Sequence, residues 1–295
     1  MLMLVTIGAA CGDDDEASTD GASEGESLSA EPEVEAQEIE IVVPGGEDGE
    51  YAYEAGLDGL TAGPVTVTLT NEGALEHQAM LLRLNEGEDV ASFTAAAAAD
   101  PSGVEAFGVI EAFGGPNGVG PGETVSSTQV LEEGDYLLIC VIPGEDGVPH
   151  AAHGMVTPFS VGPAEGGGTP EPVVDDPDDA DVVLVDFGFS PSTDMAAGDT
   201  ITVGNDGEQA HELVVYRLDE GVTAEQAREA LADPASGPPP VTPAGGTGAI
   251  APGGSVEMTL PDEPGEYLLI CFLPDTAGDA QPHHAHGMAS GLSLA

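Results

Sequence analysis

The chain has 295 residues, 41% of them hydrophobic, which is enough for two domains of ordinary size with apolar cores. It carries 55 Asp and Glu against three basic residues, for a formal net charge of −52. Nucleic acid is bound through Lys and Arg, and an anionic lipid surface repels negative charge, so we expect neither as a direct partner. A charge this large predicts a protein adapted to a salty exterior, where salt screens its self-repulsion.

The N-terminal segment, residues 1 to 37, is predicted to lie outside any folded domain. It opens with MLMLVTIGAAC, a short apolar run that ends in small residues and Cys11, and continues with Ser, Gly and acidic residues. The opening resembles the end of a bacterial lipoprotein signal peptide, which implies a lipidated Cys11 and anchoring to the outside of the cell membrane. The remainder has little to bury and predicts a disordered acidic tether.

The rest of the chain is a duplication interrupted by an acidic linker rich in Pro and Gly, at 163 to 180. The segment at 71 to 87 aligns without a gap on 205 to 221, and GDYLLIC at 134 to 140 aligns on GEYLLIC at 265 to 271. We therefore expect two domains of one fold, at 38 to 162 and 181 to 295.

Each copy is predicted to be mostly β-structure. Short runs of β-branched and apolar residues alternate with Gly and Pro turns. In the first copy they lie at 39 to 43, 65 to 70, 78 to 84, 124 to 130, 135 to 142 and 154 to 161. One helical insert interrupts each copy, at 89 to 100 and 223 to 234, and a capping box is expected from Thr223 to Gln226. The pattern predicts a small β-sandwich, twice over.

Sulfur and imidazole side chains recur in matched places. In each copy a His follows an Asn-x-Gly turn, a Cys ends an apolar strand, and a second His precedes a Met by five residues. The first set is His77, Cys140, His150 and Met155, and the second set is His211, Cys271, His283 and Met288. Such donors suit a soft or borderline metal, above all copper.

This arrangement resembles the type 1 copper signature of cupredoxins, the β-sandwich family of plastocyanin and azurin. The resemblance implies two tandem cupredoxin-like Greek-key sandwiches with one copper each, held by two His nitrogens, a Cys thiolate and a weak axial Met. It further implies single-electron transfer with an exterior redox or copper-handling protein. The family usually has only a few residues between Cys and the second His. Here Val141 to Pro149 gives nine, and Phe272 to Pro282 gives eleven.

Two other functions fit the same residues. Copper capture or delivery without electron transfer is favoured by the long spacers and by additional donors, namely Glu145, Asp146, His153, His284 and His286. A metal-free binding or structural module remains possible, because a lone buried Cys or Met is most often a core residue. A Cys140–Cys271 disulfide is disfavoured by the equivalent strand positions of the two residues.

No enzymatic activity is expected from the sequence. Cys140 is flanked by Ile139 and Val141, and Cys271 by Ile270 and Phe272, so neither adjoins a His that would lead to a catalytic copper. A nucleophile elbow and a phosphate-binding loop are not apparent either.

Overall fold

The computed structural model describes residues 35–46, 49–192, 195–233 and 237–295. Cys11 and nearly all of the tether predicted at 1 to 37 lie outside these residues. Within the described ranges, the longest apolar helix falls short of what crossing a bilayer requires. Residues from Val34 onward group into one compact unit that contains both copies of the repeat.

Within the described ranges, the elements are short strands with three α-helices. In the first copy they are β1 (Gln37–Val43), β2 (Glu54–Ala55), β3 (Gly63–Asn71), β4 (Met80–Leu84), α1 (Val90–Ala99), α2 (Val104–Phe107), β5 (Ile110–Ala112), β6 (Thr124–Leu131), β7 (Gly134–Ile139) and β8 (Val156–Val161). In the second copy they are β9 (Val182–Val185), β10 (Gly188–Pro191), β11 (Thr200–Asn205), β12 (His211–Leu218), α3 (Ala224–Ala232), β13 (Val241–Ile250), β14 (Ser255–Thr259), β15 (Gly265–Ile270) and β16 (Ala289–Leu294).

The strands form one long sheet and two short ones. The long sheet has eight strands in the order β10-β9-β11-β14-β6-β3-β1-β2, so each copy supplies half of it. The short sheets are β5-β4-β7-β8 in the first copy and β13-β12-β15-β16 in the second. Strands β1, β3 and β8 bury alternate residues, as expected of strands with one face on a core. Each copy is thus a two-layered β-sandwich.

Equivalent strands join the two copies. β6 and β14 pair antiparallel, and Ser127 lies opposite Met258, its own counterpart at an offset of 131 residues. A second contact pairs Pro116 with Thr247, which are counterparts at the same offset. Antiparallel pairing of like with like means that a local twofold relation connects the copies, as in a symmetric dimer interface.

The helices cover the outer faces of the short sheets. Phe93 of α1 belongs to the same buried cluster as Leu82 and Leu137, and Ala227 of α3 packs with Val214 and Leu268. Both helices begin with a capping box, formed in α3 by the predicted pair Thr223 and Gln226. The helical inserts therefore lie where the sequence places them.

The all-β fold class, with one helical insert in each copy, is confirmed. Four strands were not anticipated: β2, β5 and β10 are too short to show a pattern, and β13 reads VTPAGGTGAI, whose glycines are typical of a turn. The backbone of β13 lies so close to that of β12 that a side chain does not fit between them. A Cβ on Gly246 would be 2.2 Å from the carbonyl oxygen of Leu213, which is why glycine occurs in this strand. The domain boundaries at 38 to 162 and 181 to 295 stay a prediction.

Candidate metal centres

The first His of each centre is fixed by a buried Asn. The Asn71 amide donates to the carbonyls of Leu75 and Val119, at 2.7 and 2.8 Å, and its oxygen accepts from Gly73 N at 2.8 Å. Asn205 makes the same three kinds of hydrogen bond in the second copy. The Asn-x-Gly turn is therefore a clamp that presents His77 and His211, both fully buried.

The long spacer between Cys and the second His is closed at its base. His150 N donates to Ile142 O at 3.0 Å, and Ala151 N donates to Cys140 O at 2.8 Å. Pro143 and Pro149 form a bridge, so the residues between them leave and return as a small hairpin. The second copy repeats this, with a bridge between Pro274 and Pro282. The spacer thus lengthens the surface loop without separating the Cys from the His.

The predicted ligands converge at one point in each copy. In the first, the Nδ1 atoms of His77 and His150 are 3.2 Å apart, and Cys140 Sγ is 3.4 Å from His150 Nδ1. In the second, the corresponding distances are 3.0 Å for His211 and His283 and 3.4 Å for Cys271 and His283. Within each group of three, the possible ligand atoms all lie within 4.8 Å of one another.

A carboxylate that the sequence analysis missed orients the first His of each centre. His77 Nε2 lies 3.0 Å from Glu50 Oε1, and His211 Nε2 lies 3.0 Å from Asp186 Oδ1. The carboxylate accepts a hydrogen bond from Nε2–H, which fixes the tautomer so that the Nδ1 lone pair faces the centre. Glu50 and Asp186 lie in loops with no motif of their own, and no sequence signal indicated them.

The imidazoles are neutral near neutral pH. Burial lowers the pKa of His77, although the nearby Glu50 carboxylate raises it in part. Burial and the neighbouring His77 lower the pKa of His150 to about 4. His283 behaves in the same way, with a pKa lowered to about 4 by burial and by His211. Neutral imidazole is the form that binds a metal.

The thiols are buried and hydrogen-bonded by backbone amides. Burial raises the pKa of Cys140 to about 12, and the backbone N–H groups of Gln78 and Ile142 oppose this. Burial also raises the pKa of Cys271, against hydrogen bonds from the N–H groups of Glu212 and Leu273. A thiol in so apolar a place ionises only when a cation is bound beside it. Both cysteines are free, which agrees with the disfavoured disulfide.

Met155 and Met288 lie beside the Cys in the fold. Cys140 N donates to Met155 O at 3.2 Å, and Met155 N donates to His150 O at 3.1 Å. Met288 makes the same pair of bonds with Cys271 and His283, at 3.2 and 3.1 Å. Both Met side chains are fully buried in the cluster that holds their Cys.

An aromatic ring covers the second His. Tyr51 packs edge-on against His150, with ring centroids 5.0 Å apart, and Phe187 packs edge-on against His283 at 5.3 Å. Nε2 of both imidazoles is buried without a hydrogen-bond partner. The two Nδ1 atoms face each other at 3.2 Å in the first copy and 3.0 Å in the second, and two lone pairs in this position repel unless a cation or a proton lies between them. The donors therefore fit a cation bound between the Nδ1 atoms and the sulfur.

The additional donors stay away from the centres. His153 Nε2 is 3.1 Å from Asp146 Oδ2, and His286 Nε2 is 3.0 Å from Asp279 Oδ1, in the surface hairpins. His284 lies against the Phe272 ring, at 5.3 Å between centroids. None of these side chains belongs to either group of three converging ligands.

The residue that follows the first His, Gln78 in the first copy and Glu212 in the second, makes two hydrogen bonds beside the Cys. Gln78 Oε1 accepts from Val141 N at 3.1 Å, and Glu212 Oε1 accepts from Phe272 N at 2.9 Å, while their backbone N–H groups bond the thiols. Glu212 Oε2 also accepts from Asn117 Nδ2 at 3.1 Å, across the contact between the copies. Burial raises the pKa of the Glu212 carboxyl to about 7.

The chain is similar to several solved structures. An auracyanin from Roseiflexus castenholzii is 26% identical, with 39% of this chain and 94% of that one covered and a TM-score of 0.26. Two structures from Nitrosomonas europaea, a copper nitrite reductase and a blue copper oxidase, are 15% and 14% identical over 88% of this chain and 94% and 86% of their own, each with a TM-score of 0.23. No protein-family model and no curated protein matches. Because the TM-scores are below 0.5, we assign no role from these matches.

One expectation is nevertheless overturned by the comparison. The sequence analysis predicted that the chain is not an enzyme, but the structures it is similar to over most of its length include a nitrite reductase and an oxidase. The prediction that the chain is not an enzyme is therefore withdrawn.

Proposed function

We propose that the protein binds one copper ion in each copy of the repeat and exchanges single electrons through these sites. The observation that carries the proposal is the duplicated set of two imidazole Nδ1 atoms and one thiol sulfur, converging within 4.8 Å in a buried place. When bound there, copper would supply a one-electron couple. Two His and one Cys are the donors of blue-copper sites.

The chain supplies a preorganised site. His77, Cys140 and His150 would hold the metal in the first copy, and His211, Cys271 and His283 in the second. Met155 and Met288 are buried beside the Cys in the place of the weak axial ligand. Because the Asn clamps and the closed spacers fix the donors in advance, little rearrangement is required when the electron moves. This favours electron transfer over copper capture.

The proposal places the protein outside the cytoplasm, held at the membrane by a lipid on Cys11. The proposed partner is an exterior redox protein or a copper-handling protein. The extreme negative charge supports this, since a basic surface on the partner would steer it to the chain.

Copper binding is tested by adding Cu(II) to the purified chain that follows the signal segment. We expect an intense visible thiolate-to-copper band and two copper ions per chain. Cys140→Ser and Cys271→Ser should each remove one ion and the corresponding part of the band. A colourless protein that takes up no copper would overturn the proposal and leave the metal-free module.

Electron exchange is tested by a reversible redox titration of the same band. Full bleaching and recovery over repeated cycles supports a carrier of single electrons. A protein that retains Cu(I) and does not reoxidise is a copper-holding protein, the alternative raised by the sequence.

A further inference from the structure

A further group of metal-ligating side chains lies on the surface hairpin of the second copy. His286 Nε2 is 3.0 Å from Asp279 Oδ1 and 3.8 Å from Asp275 Oδ2. One possible ligand atom from each of these three side chains lies within 4.8 Å of the other two. None of the three residues is a predicted copper ligand, so one imidazole and two carboxylates form a separate group.

The buried member of this group is Asp275, which is 8% exposed. Its Oδ1 accepts the N–H of Ala277 at 3.1 Å. No described residue donates a hydrogen bond to its Oδ2, and the 3.8 Å to His286 Nε2 exceeds hydrogen-bond distance. A Cβ on Gly278 would be 2.1 Å from this oxygen, so the glycine leaves room for the carboxylate. A carboxylate oxygen on a side chain that is nine-tenths buried therefore lies beside the imidazole without a hydrogen-bond donor of its own.

The first copy contains only two of the three side chains. His153 Nε2 is 3.1 Å from Asp146 Oδ2, and Gly144 stands at the position equivalent to Asp275, at an offset of 131 residues. One carboxylate and one imidazole make an ordinary ion pair. In the second copy two carboxylates meet one imidazole, which carries at most one positive charge. Their repulsion, and the burial of one of them, favour a further positive charge between them.

We propose that Asp275, Asp279 and His286 bind a divalent cation of the Zn²⁺ type, in a site separate from the two copper centres. Imidazole nitrogen and carboxylate oxygen are zinc ligands, and three protein ligands leave a fourth position for water. Ligand atoms about 2.0–2.2 Å from a tetrahedral zinc are roughly 3.3–3.6 Å apart, a range that the observed 3.0 and 3.8 Å bracket. Mg²⁺ and Ca²⁺ prefer oxygen ligands alone, so the imidazole favours zinc.

A bound cation would tie the hairpin to the turn that follows it. The two Asp residues lie in the hairpin between Pro274 and Pro282, whereas His286 is the last residue of the 3-10 turn that begins at His283. Phe187 packs against both imidazole rings, with centroid distances of 5.3 Å to His283 and 4.8 Å to His286. The cation would therefore fix the longer of the two spacers beside the second copper centre.

The test is equilibrium dialysis of the metal-free chain that follows the signal segment against Zn²⁺, in high salt with excess Mg²⁺. Salt and Mg²⁺ suppress binding by carboxylates alone, which this acidic chain has in many places. At a free zinc concentration that saturates the wild type, we expect Asp275→Asn and His286→Gln each to bind one zinc ion fewer per chain. Asn keeps an acceptor for the N–H of Ala277. Zinc that enters the copper centres is counted equally in every variant.

The matched controls are Asp146→Asn and His153→Gln, the same substitutions in the hairpin of the first copy. They should bind as many zinc ions as the wild type. Hydrogen–deuterium exchange locates the site: zinc should slow exchange at residues 275 to 286 in the wild type and in both controls, but not in Asp275→Asn. If Asp275→Asn does not fold, His286→Gln decides the question, because the His286 side chain is 30% exposed.

Equal zinc binding by the wild type, Asp275→Asn and His286→Gln would overturn the inference, and so would the loss of one ion from the controls as well. The inference does not rest on the proposed copper function. A chain that binds no copper but loses one zinc ion in Asp275→Asn overturns the proposed function alone. A chain that binds two copper ions, with zinc binding unchanged by both variants, overturns this inference alone.

Discussion

Single side chains outside the predicted ligand set hold the predicted ligands in place, and Glu50 and Asp186 are the clearest examples. Each accepts a hydrogen bond from Nε2–H of the first His, and each also accepts a hydrogen bond from a backbone N–H of the Asn turn. The turn, the carboxylate and the imidazole therefore form one unit. Glycine at 207 is required by this closeness, because a Cβ there would be 2.7 Å from His211 Nε2.

Removing one carboxylate should weaken only the neighbouring site. We expect Glu50→Ala to reduce copper affinity at the first site by about 10- to 100-fold, because His77 loses its orientation. Asp186→Ala should do the same at the second site and serves as the matched control. Competition with a copper chelator in the single-site Cys→Ser backgrounds measures both. Equal weakening of both sites by one variant would show a general loss of structure instead.

The carboxyl of Glu76 should make the free energy of unfolding depend on pH. Its carboxylate accepts from Tyr216 OH at 2.9 Å across the contact between the copies, and burial raises its pKa to about 7. Below an ordinary Glu pKa it is protonated in both the folded and unfolded states. As the pH rises from there to about 7, the unfolded chain ionises first, so the free energy of unfolding falls, and above pH 7 the loss is complete.

Glu76→Gln keeps an acceptor for Tyr216 and removes the charge. In the metal-free protein we expect it to raise the free energy of unfolding by roughly 2 kcal/mol at pH 8, after allowing for the partial exposure of the side chain, with little change at pH 4. Urea unfolding at both pH values measures this. The exposed Glu40→Gln is the control, and an equal gain in that variant would assign the effect to net charge alone.

Among the elements, the short turn between the second His and the Met decides where the Met lies. His150–His153 is one turn of 3-10 helix that ends at Gly154, which has φ of 111°, and the second copy ends the same turn at Gly287 with φ of 109°. A side chain at this φ is strained whatever space surrounds it. The turn allows Met155 to return to the strand beside Cys140.

Gly154→Ala should therefore cost about 1–3 kcal/mol in the free energy of unfolding of the metal-free protein. A Cβ there would touch nothing within 4 Å, so backbone conformation alone is tested. Gly56→Ala, in equally open space at an ordinary φ, is the control and should be neutral or slightly stabilising. Chemical denaturation measures both; equal stability of the two variants would contradict the expectation.

At the scale of the whole molecule, charge and the joining of the copies dominate. All three Arg are already paired with Glu side chains: Arg83 with Glu111 and Glu132, Arg217 with Glu263, and Arg228 with Glu225. No further basic side chain is present to offset the net charge of −52, so only salt can screen the repulsion between the carboxylates. Both copies contribute strands to one eight-stranded sheet, so repulsion between the acidic surfaces of the two copies opposes the pairing that joins them.

Salt should stabilise the fold. Between about 0.1 and 1 M salt the Debye length falls from about 10 to 3 Å, which removes most repulsion between surface carboxylates. We expect the melting temperature to rise over this range in NaCl and in KCl alike. The two chloride salts share their anion and screen charge equally, so a rise in only one of them would indicate specific ion binding. A melting temperature that does not change with salt would contradict the predicted salt adaptation.

The sequence by itself determined the repeat, the β-rich fold, the helical inserts and the residues that converge. Local periodicity sets strands and caps, and duplication sets which residues correspond, so both can be read along the chain. His77, Cys140 and His150 were found because matched spacing in two copies is a strong signal. The short β5 and the glycine-rich β13 were missed because neighbouring strands, and not local pattern, make them strands.

Only the tertiary structure decided what surrounds the ligands. Glu50 and Asp186 come from separate loops, the spacers close through backbone hydrogen bonds, and Glu212 meets Asn117 across the contact between the copies. No periodicity in the sequence indicates these contacts, and those of Glu50, Asp186 and Glu212 join residues 25 or more positions apart. The physical reason is that burial and hydrogen bonding between separate segments, which set the charge and rigidity of each centre, exist only once the chain is folded.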